Sequence, residues 1–436
     1  MIRRWAKVVF TNDTEQDMPL NKQQLAKLIP NEMPANFCIA PFQSIRQNPY
    51  GKNSPCAFGA GEWLHGALTP EERWDSAELN KLRGEFIKGQ RSAECHRCWA
   101  EEDSGKKSLR QRQLEYFPND YEDFIKTQQW LAGPKTAVFK VSNVCNLACR
   151  SCAGWDSNTY TKEGLYYGET YKTTMSGKDA TKIHNRFIPV LPPKHMDFSQ
   201  YFNIAGNLEK IDFFGGEPFL NMTQLALLEH LVEQGLSKNI TLFYSTNCSV
   251  RPPARFKRVW DKFKRLEISM SIDGIGDEFE YLRWPGNWSQ TTEIIKEICD
   301  LKNSLACEVY TMGAVTISLM NIMSADKLLA WITENIGEYY ISMVNSPAYL
   351  AVHNVPDDIK PQLLATIQND DIRGHMQYCK YDPVLWQQFI IWMKRQDIYR
   401  IQQFGLVFPE YYTIIKKHWD AVTDLSEKQF HNTSCQ

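Results

Sequence analysis

Cys145-Asn146-Leu147-Ala148-Cys149-Arg150-Ser151-Cys152 is the stretch on which the reading of this chain turns. It brings three thiols into one short loop and supplies no fourth. A cubane of four irons and four sulfides takes four cysteine ligands when fully capped. A three-cysteine loop therefore leaves one iron free to bind a substrate or cofactor through nitrogen and oxygen. Zinc competes for the same loop, but a structural zinc site takes four ligands in close pairs, and no partner pair lies within about the next fifty residues.

The loop follows Ala137-Val138-Phe139-Lys140-Val141, an apolar run with strand character, and precedes polar residues with turn character. Strand ends of this kind host ligands in α/β folds. Downstream, Ile211-Asp212-Phe213-Phe214 reads as a second strand running into Gly215-Gly216-Glu217-Pro218. By itself that tetrapeptide is an ordinary strand-ending turn. Its glycines also allow backbone to approach a ligand closely, and the Glu217 carboxylate can accept charge-assisted hydrogen bonds from an ammonium group.

Taken together, the three-cysteine loop and the Gly-Gly-Glu-Pro element resemble the radical S-adenosylmethionine (SAM) superfamily. The resemblance implies a partial (β/α)6 barrel, a 4Fe-4S cluster held by Cys145, Cys149 and Cys152, and Glu217 holding the ammonium of SAM's methionine moiety beside Gly215 and Gly216. It further implies that Ser271 and Arg283 hold the carboxylate and ribose of SAM, with Asn247 offering a polar head to the ribose and Asn321 a weaker candidate. An arginine fork suits a carboxylate; a helix-end charge and a turn asparagine are the bland alternatives for Arg283 and Asn247. One departure stands out, because many members carry an aromatic residue before the third cysteine and this chain has Ser151.

Further strands are predicted over Ile240–Asn247, Leu266–Gly274, Val309–Ile317 and Glu338–Asn345. Between them, Leu225, Leu228, Leu231 and Val232, and later Ile294, Ile295, Ile298 and Leu301, recur at helical spacing. The alternation predicts parallel βαβ units with all strand ends on one edge. Cys145, Glu217, Asn247 and Ser271 then share one mouth.

The N-terminal third carries a second set of thiols, Cys38, Cys56 and the pair Cys95-His96-Arg97-Cys98. Four cysteines can close a zinc site, with His96 as a substitute ligand. The segment also resembles the twitch-type auxiliary domains of radical SAM enzymes, which implies a second 4Fe-4S cluster with four cysteine ligands. Relatives with such domains often modify peptides, so the resemblance implies a peptide or protein substrate; a small metabolite or sugar is the alternative. A flavodoxin or ferredoxin is the electron donor implied. A non-catalytic metal-binding scaffold is the reading from another class.

The 436 residues suit a cysteine-rich domain over 1–132, a barrel over 133–346 after Gly133-Pro134, and a helical extension over 347–436. In that extension Leu385, Phe389, Ile390 and Met393 form one apolar face, and Trp386, Trp392 and Trp419 read as packing residues. The stretch Gly154–Gln200 is long for a loop and is expected to contain the first barrel helix and to cover the mouth or the substrate. Net charge of −2 argues against nucleic acid as partner. The basic group Lys106, Lys107, Arg110 and Arg112 reads as a solvated helix face. No apolar run reaches membrane-spanning length, and Asp13 and Glu15 interrupt the basic start too early for a secretory signal. A cytoplasmic protein without disulfides is expected. Cys248, Cys299, Cys307, Cys379 and Cys435 form no ligand set by spacing.

Overall fold

The computed structural model describes residues 20–57, 63–64, 68–105, 107–171, 196–377 and 381–423. These divide into two compact units. The first gathers the described residues up to Ile45 with Asn53–Lys135 and Asn203–Asn207, and the second gathers Arg46–Lys52, Thr136–Phe202 and the residues from Leu208 onward.

In the second unit six strands run parallel in sequence order: β1 (Thr136–Lys140), β2 (Lys210–Phe214), β3 (Thr241–Thr246), β4 (Arg265–Ser271), β5 (Glu308–Ile317) and β6 (Glu338–Met343). Register is continuous, with Phe139 opposite Phe213, Ile211 opposite Leu242 and Leu242 opposite Leu266. Helices α1 (Asn158–Tyr171), α2 (Leu225–Glu233), α3 (Ala254–Trp260), α4 (Asp277–Leu282), α5 (Trp288–Cys299) and α6 (Ala325–Asn335) lie between consecutive strands. Sheet order places β1 and β6 apart, so the ring is open there. This is an α/β partial (β/α)6 barrel with a helical C-terminal region.

Alternation along the strands fixes which side faces the helices. Ile211 and Phe213 in β2, Leu242 and Tyr244 in β3, and Leu266 and Ile268 in β4 are fully buried, while their neighbours are partly open except Ser269, which is buried as well. Leu225, Leu228 and Leu231 of α2 are buried, as the leucine spacing predicts. Phe219, Tyr244, Phe256 and Trp260 complete the layer with ring centroids 5.2 to 6.2 Å apart, within the favourable range for aromatic pairs.

Past β6 come α7 (Pro383–Arg400) and α8 (Pro409–Ala421), which belong to the same unit as the strands. Asp382 caps α7 by accepting the Val384 and Leu385 N–H groups. The single apolar face predicted for this helix is too narrow. Trp386, Phe389, Ile390, Ile391, Trp392 and Met393 are all buried, together with polar Gln388, Arg395, Gln396 and Arg400. Trp419 is buried as well, in keeping with a packing role.

The first unit is a small helical body. Its helix Ala77–Ile87 is capped by Ser76. Arg83, fully buried, donates to the carbonyls of Pro41 and Trp74 and lies over the rings of Trp74 and Trp130 at 4.4 and 4.9 Å. Of the long stretch after Gly154, α1 realises the expected first helix, whereas 172–195 lie outside the described residues, as do Lys106, Cys379 and Cys435. Among the described residues no helix is long and apolar enough to cross a membrane.

Candidate active site

The loop carrying the three cysteines leaves β1 and is held from two sides. From α1 and the residue before it, Asn158 Oδ1 accepts the Cys145 N–H at 3.0 Å, Thr159 Oγ1 donates to the Cys145 carbonyl at 2.6 Å, and Ser157 Oγ donates to the Leu147 carbonyl at 2.5 Å. From the segment after α4, the Trp284 carbonyl accepts the Ala148 N–H and the Leu282 carbonyl accepts the Arg150 N–H, at 2.6 and 2.8 Å. Arg283, between those two carbonyls, is thereby fixed beside Cys149, its Nη1 lying 3.9 Å from the sulfur.

Burial raises all three thiols. Cys145 is pushed up to about 12, Cys149 is also raised, and Cys152 is raised well above the ordinary range. Each sulfur thus needs a nearby positive charge to ionise. Around Cys149 that charge comes in part from Arg283 and Arg400.

The Gly-Gly-Glu-Pro turn packs against the same loop. Gly215 and Gly216 have φ of +84° and +58°, and a Cβ on Gly216 would stand 2.3 Å from the Val144 carbonyl oxygen. The close approach that glycine permits is made to the cysteine loop itself. The Glu217 N–H donates to that carbonyl at 2.8 Å, so this turn and the cysteine loop form one unit.

Glu217 is fully buried. Its Oε1 accepts from the Phe219 N–H at 3.2 Å and Thr246 Oγ1 at 2.9 Å, and its Oε2 accepts from the Asn247 N–H at 2.8 Å. Burial outweighs these donors and pushes its pKa up to about 7.

Asn247, at the end of β3, donates from Nδ2 to Cys145 Sγ at 3.5 Å and to Asn146 Oδ1 at 3.3 Å. Its Oδ1 accepts from the Ser249 N–H and hydroxyl at 2.9 and 2.5 Å. The asparagine therefore ties strand end to cysteine loop. Between them Cys248, fully buried, takes a left-handed φ of +57°, an uncommon conformation for a residue with a side chain. Ser271 is the last residue of β4 and is half-buried. Asn321 donates to the carbonyls of Asp273 and Thr316 at 2.9 and 3.0 Å and accepts the Ser318 N–H at 2.9 Å, so its amide braces the end of β5.

Two residues at this site escape sequence reasoning. Asp273, just past β4, pairs with Arg283 Nη2 at 2.8 Å and accepts the Thr316 N–H at 2.9 Å. Burial alone would lower the Arg283 pKa, but Asp273 and the neighbouring thiols raise it above its ordinary value. The Nε of Arg283 is buried with no hydrogen-bond partner. The second is Arg150, inside the cysteine motif and fully buried. It donates to the Tyr281 carbonyl, Asp397 and Gln402 at 3.0, 2.7 and 3.0 Å, and stacks 3.6 Å from the Tyr281 ring centroid. An Asp two residues beyond a strand end was a usable signal for the first; Arg150 gave none.

In the first unit, Cys38, Cys56, Cys95 and Cys98 line one small recess with Arg97 and Arg110. Burial lifts Cys38 well above its usual range, Cys95 to about 12 and Cys98 above its ordinary value, and the neighbouring thiols add to the rise at each of these three. His96 is exposed and does not line the recess. Nor is Arg110 the solvated charge its neighbours suggested, because it is buried, donates to Glu102 at 2.9 and 2.7 Å and bonds the Phe37 carbonyl at 2.8 Å. Lys107 and Arg112 of the same group are exposed or paired only at the surface. Among the described residues no three His, Cys, Asp or Glu side chains stand grouped as ligands of one metal ion.

No family model matches the chain, and no curated protein matches it. Solved structures resemble it at low identity. SuiB of Streptococcus suis bound to S-adenosylmethionine is 12% identical, with a TM-score of 0.32 over 87% of this chain and 75% of that one. SuiB bound to its precursor peptide SuiA is 12% identical, with a TM-score of 0.33 over 84% and 73%. Native anSMEcpe with bound AdoMet is 13% identical, with a TM-score of 0.32 over 62% of each chain, so this chain spans about three fifths of that protein's length. Identity this low leaves residue assignments to the chain's own geometry.

Proposed function

We propose that this chain is a radical SAM enzyme in which Cys145, Cys149 and Cys152 hold a 4Fe-4S cluster with one iron open to SAM. The observation that supports the reading is the ladder between the cysteine loop and Leu282–Trp284, which holds Arg283, with its orphaned Nε, beside Cys149. The donor set fits the group: thiols raised by burial need metal charge to ionise, and a buried guanidinium N–H without an acceptor suits a carboxylate or a cluster sulfur.

When bound, cluster and SAM supply reductive cleavage to methionine and a 5′-deoxyadenosyl radical, which abstracts hydrogen from a substrate C–H bond. The protein's part is to bind, orient and shield. Glu217 presents a carboxylate to the SAM ammonium, its orientation set by Thr246 and the Asn247 N–H. Arg283, braced by Asp273, takes the SAM carboxylate, and Ser271 with Asn247 faces the ribose. Gly215 and Gly216 let the turn that carries Glu217 pack closely on Lys140 and on the backbone of Val144.

Cys38, Cys56, Cys95 and Cys98 hold the second 4Fe-4S cluster in this reading, in a twitch-type auxiliary domain that relays electrons to or from the substrate radical. The shared recess supports one centre held by all four thiols. A peptide or protein substrate follows from the resemblance of that N-terminal block, and the electron donor is of flavodoxin or ferredoxin type.

The test is anaerobic reconstitution with iron and sulfide, followed by dithionite and SAM. Wild type forms 5′-deoxyadenosine, and the Cys145→Ala/Cys149→Ala/Cys152→Ala variant forms none. Absence of 5′-deoxyadenosine from iron-loaded wild type refutes the assignment. Iron, sulfide and zinc counts on both proteins separate two clusters from one cluster and one zinc.

A further inference from the structure

Arg150 follows Cys149 directly and stands two residues before Cys152, so whatever fixes its side chain also fixes the backbone between those two thiols. Its guanidinium is held from α7 and the turn after it. Asp397, in the last turn of that helix, accepts from Arg150 Nη2 through Oδ1 at 2.7 Å, and Gln402, two residues past the helix end, accepts from the same nitrogen at 3.0 Å. The same Oδ1 accepts the Tyr281 hydroxyl at 2.6 Å, and Oδ2 accepts the Phe404 N–H at 2.8 Å. Tyr281 closes the triangle, because its carbonyl accepts from Arg150 Nε at 3.0 Å and its ring centroid lies 3.6 Å from the guanidinium carbon.

Tyr281 also begins the segment Tyr281–Trp284. The Leu282 and Trp284 carbonyls of that segment hold Arg150 and Ala148 of the loop, and its Arg283 lies 3.9 Å from Cys149 Sγ. One oxygen of Asp397 therefore joins the cysteine loop to the segment that carries Arg283. The ion pair is buried, with the Arg150 side chain fully enclosed and that of Asp397 11% exposed. Such a pair is close to neutral for stability, because desolvation offsets the attraction. Its hydrogen bonds instead fix direction, since a planar guanidinium bonded through Nε and Nη2 and stacked on a ring keeps one orientation.

We infer that Asp397 is a positioning residue: by holding Arg150 and Tyr281 on one oxygen it sets Arg283 relative to Cys149, and with that the fit of SAM at the Cys145 loop. The inference rests on the proposed reading of this loop as a 4Fe-4S site that binds SAM. Asp397 acts through its two partners and not by contact with cofactor. Helix α7, although outside the barrel, thereby becomes part of the apparatus that aligns the SAM site, and the C-terminal region has a function besides covering the core.

The test is a titration of anaerobically reconstituted, reduced, full-length protein with SAM, followed through the EPR change that SAM induces and paired with iron counts and denaturant unfolding. Arg150→Met/Asp397→Leu replaces the ion pair as a unit, so that no buried charge is left unpaired. It keeps wild-type iron and a wild-type unfolding midpoint, yet needs about tenfold more SAM for half of the EPR change, the usual cost of disturbing a group that orients a ligand. Tyr281→Phe, which removes only the hydroxyl bond to Asp397 and keeps ring and carbonyl, needs about threefold more. A purely structural role would lower the unfolding midpoint and leave the SAM requirement where it was. Should the double variant carry wild-type iron and titrate with wild type, the positioning role is refuted while the cluster assignment stands. Should the double variant fail to fold or load iron, Tyr281→Phe decides, and an unchanged SAM requirement there refutes the role. Should loaded wild type itself give no SAM-responsive signal, both readings fall.

Discussion

The two cysteine sites of this chain use the same ligand atom in opposite settings. At the N-terminal site four thiols share one recess, and Arg110 beside them is neutralised in place by Glu102. At the Cys145 loop there are three thiols, and Arg283 beside them, although paired with Asp273, keeps an Nε with no hydrogen-bond partner. A set of four thiols is closed by protein alone. A set of three beside an unspent donor is, in the proposed reading, completed by a ligand from outside. The difference teaches that thiol number is only half of the signal, and that the state of the neighbouring arginines is the other half.

The sharpest way to break this comparison is to remove thiols from each site in turn. Cys149→Ala should abolish 5′-deoxyadenosine formation and lower the iron content by about four per chain, while the N-terminal centre keeps its metal. Cys95→Ala/Cys98→Ala should do the reverse, leaving SAM cleavage intact but blocking product formation, as product analysis of one reaction mixture would reveal. Loss of both activities with an intact fold would remove the relay role of the N-terminal centre.

Smaller changes probe the arginines. Asp273→Asn releases the brace on Arg283 and should raise the KM for SAM about tenfold or more, the usual cost of disturbing a group that orients a ligand, with iron content unchanged. Arg110→Gln leaves Glu102 buried and unpaired and should cost about 3 kcal/mol in denaturant unfolding, without altering the KM for SAM. Lys107→Gln breaks only the exposed pair with Glu115 and should change stability by no more than about 0.5 kcal/mol.

The barrel was legible in the sequence because each strand is an apolar run that ends in a polar or glycine residue, and those ends are what the site is made of. Cys145, Glu217 and Asn247 could be placed at one mouth from that pattern alone. Arg150, Glu163, Asp397 and Arg400 could not. Their contacts join positions more than two hundred residues apart, and in the sequence each is one charge among many on a helix or loop. Helix α7 misled for the same reason: a helix buried on several sides with polar residues paired inside does not display a single apolar stripe. Glu217 was only half legible, since its chemistry is evident from residue type but its three protein donors are visible only once β3 is in place.

The most direct measurement of the central claim is the EPR and ENDOR spectrum of reduced protein mixed with SAM labelled with 15N in the amino group and 17O in the carboxylate. An open iron at the Cys145 loop predicts hyperfine coupling from both labels, lost in Cys149→Ala and retained in Cys95→Ala/Cys98→Ala. A reduced, fully loaded cluster with no coupling from either label would contradict it.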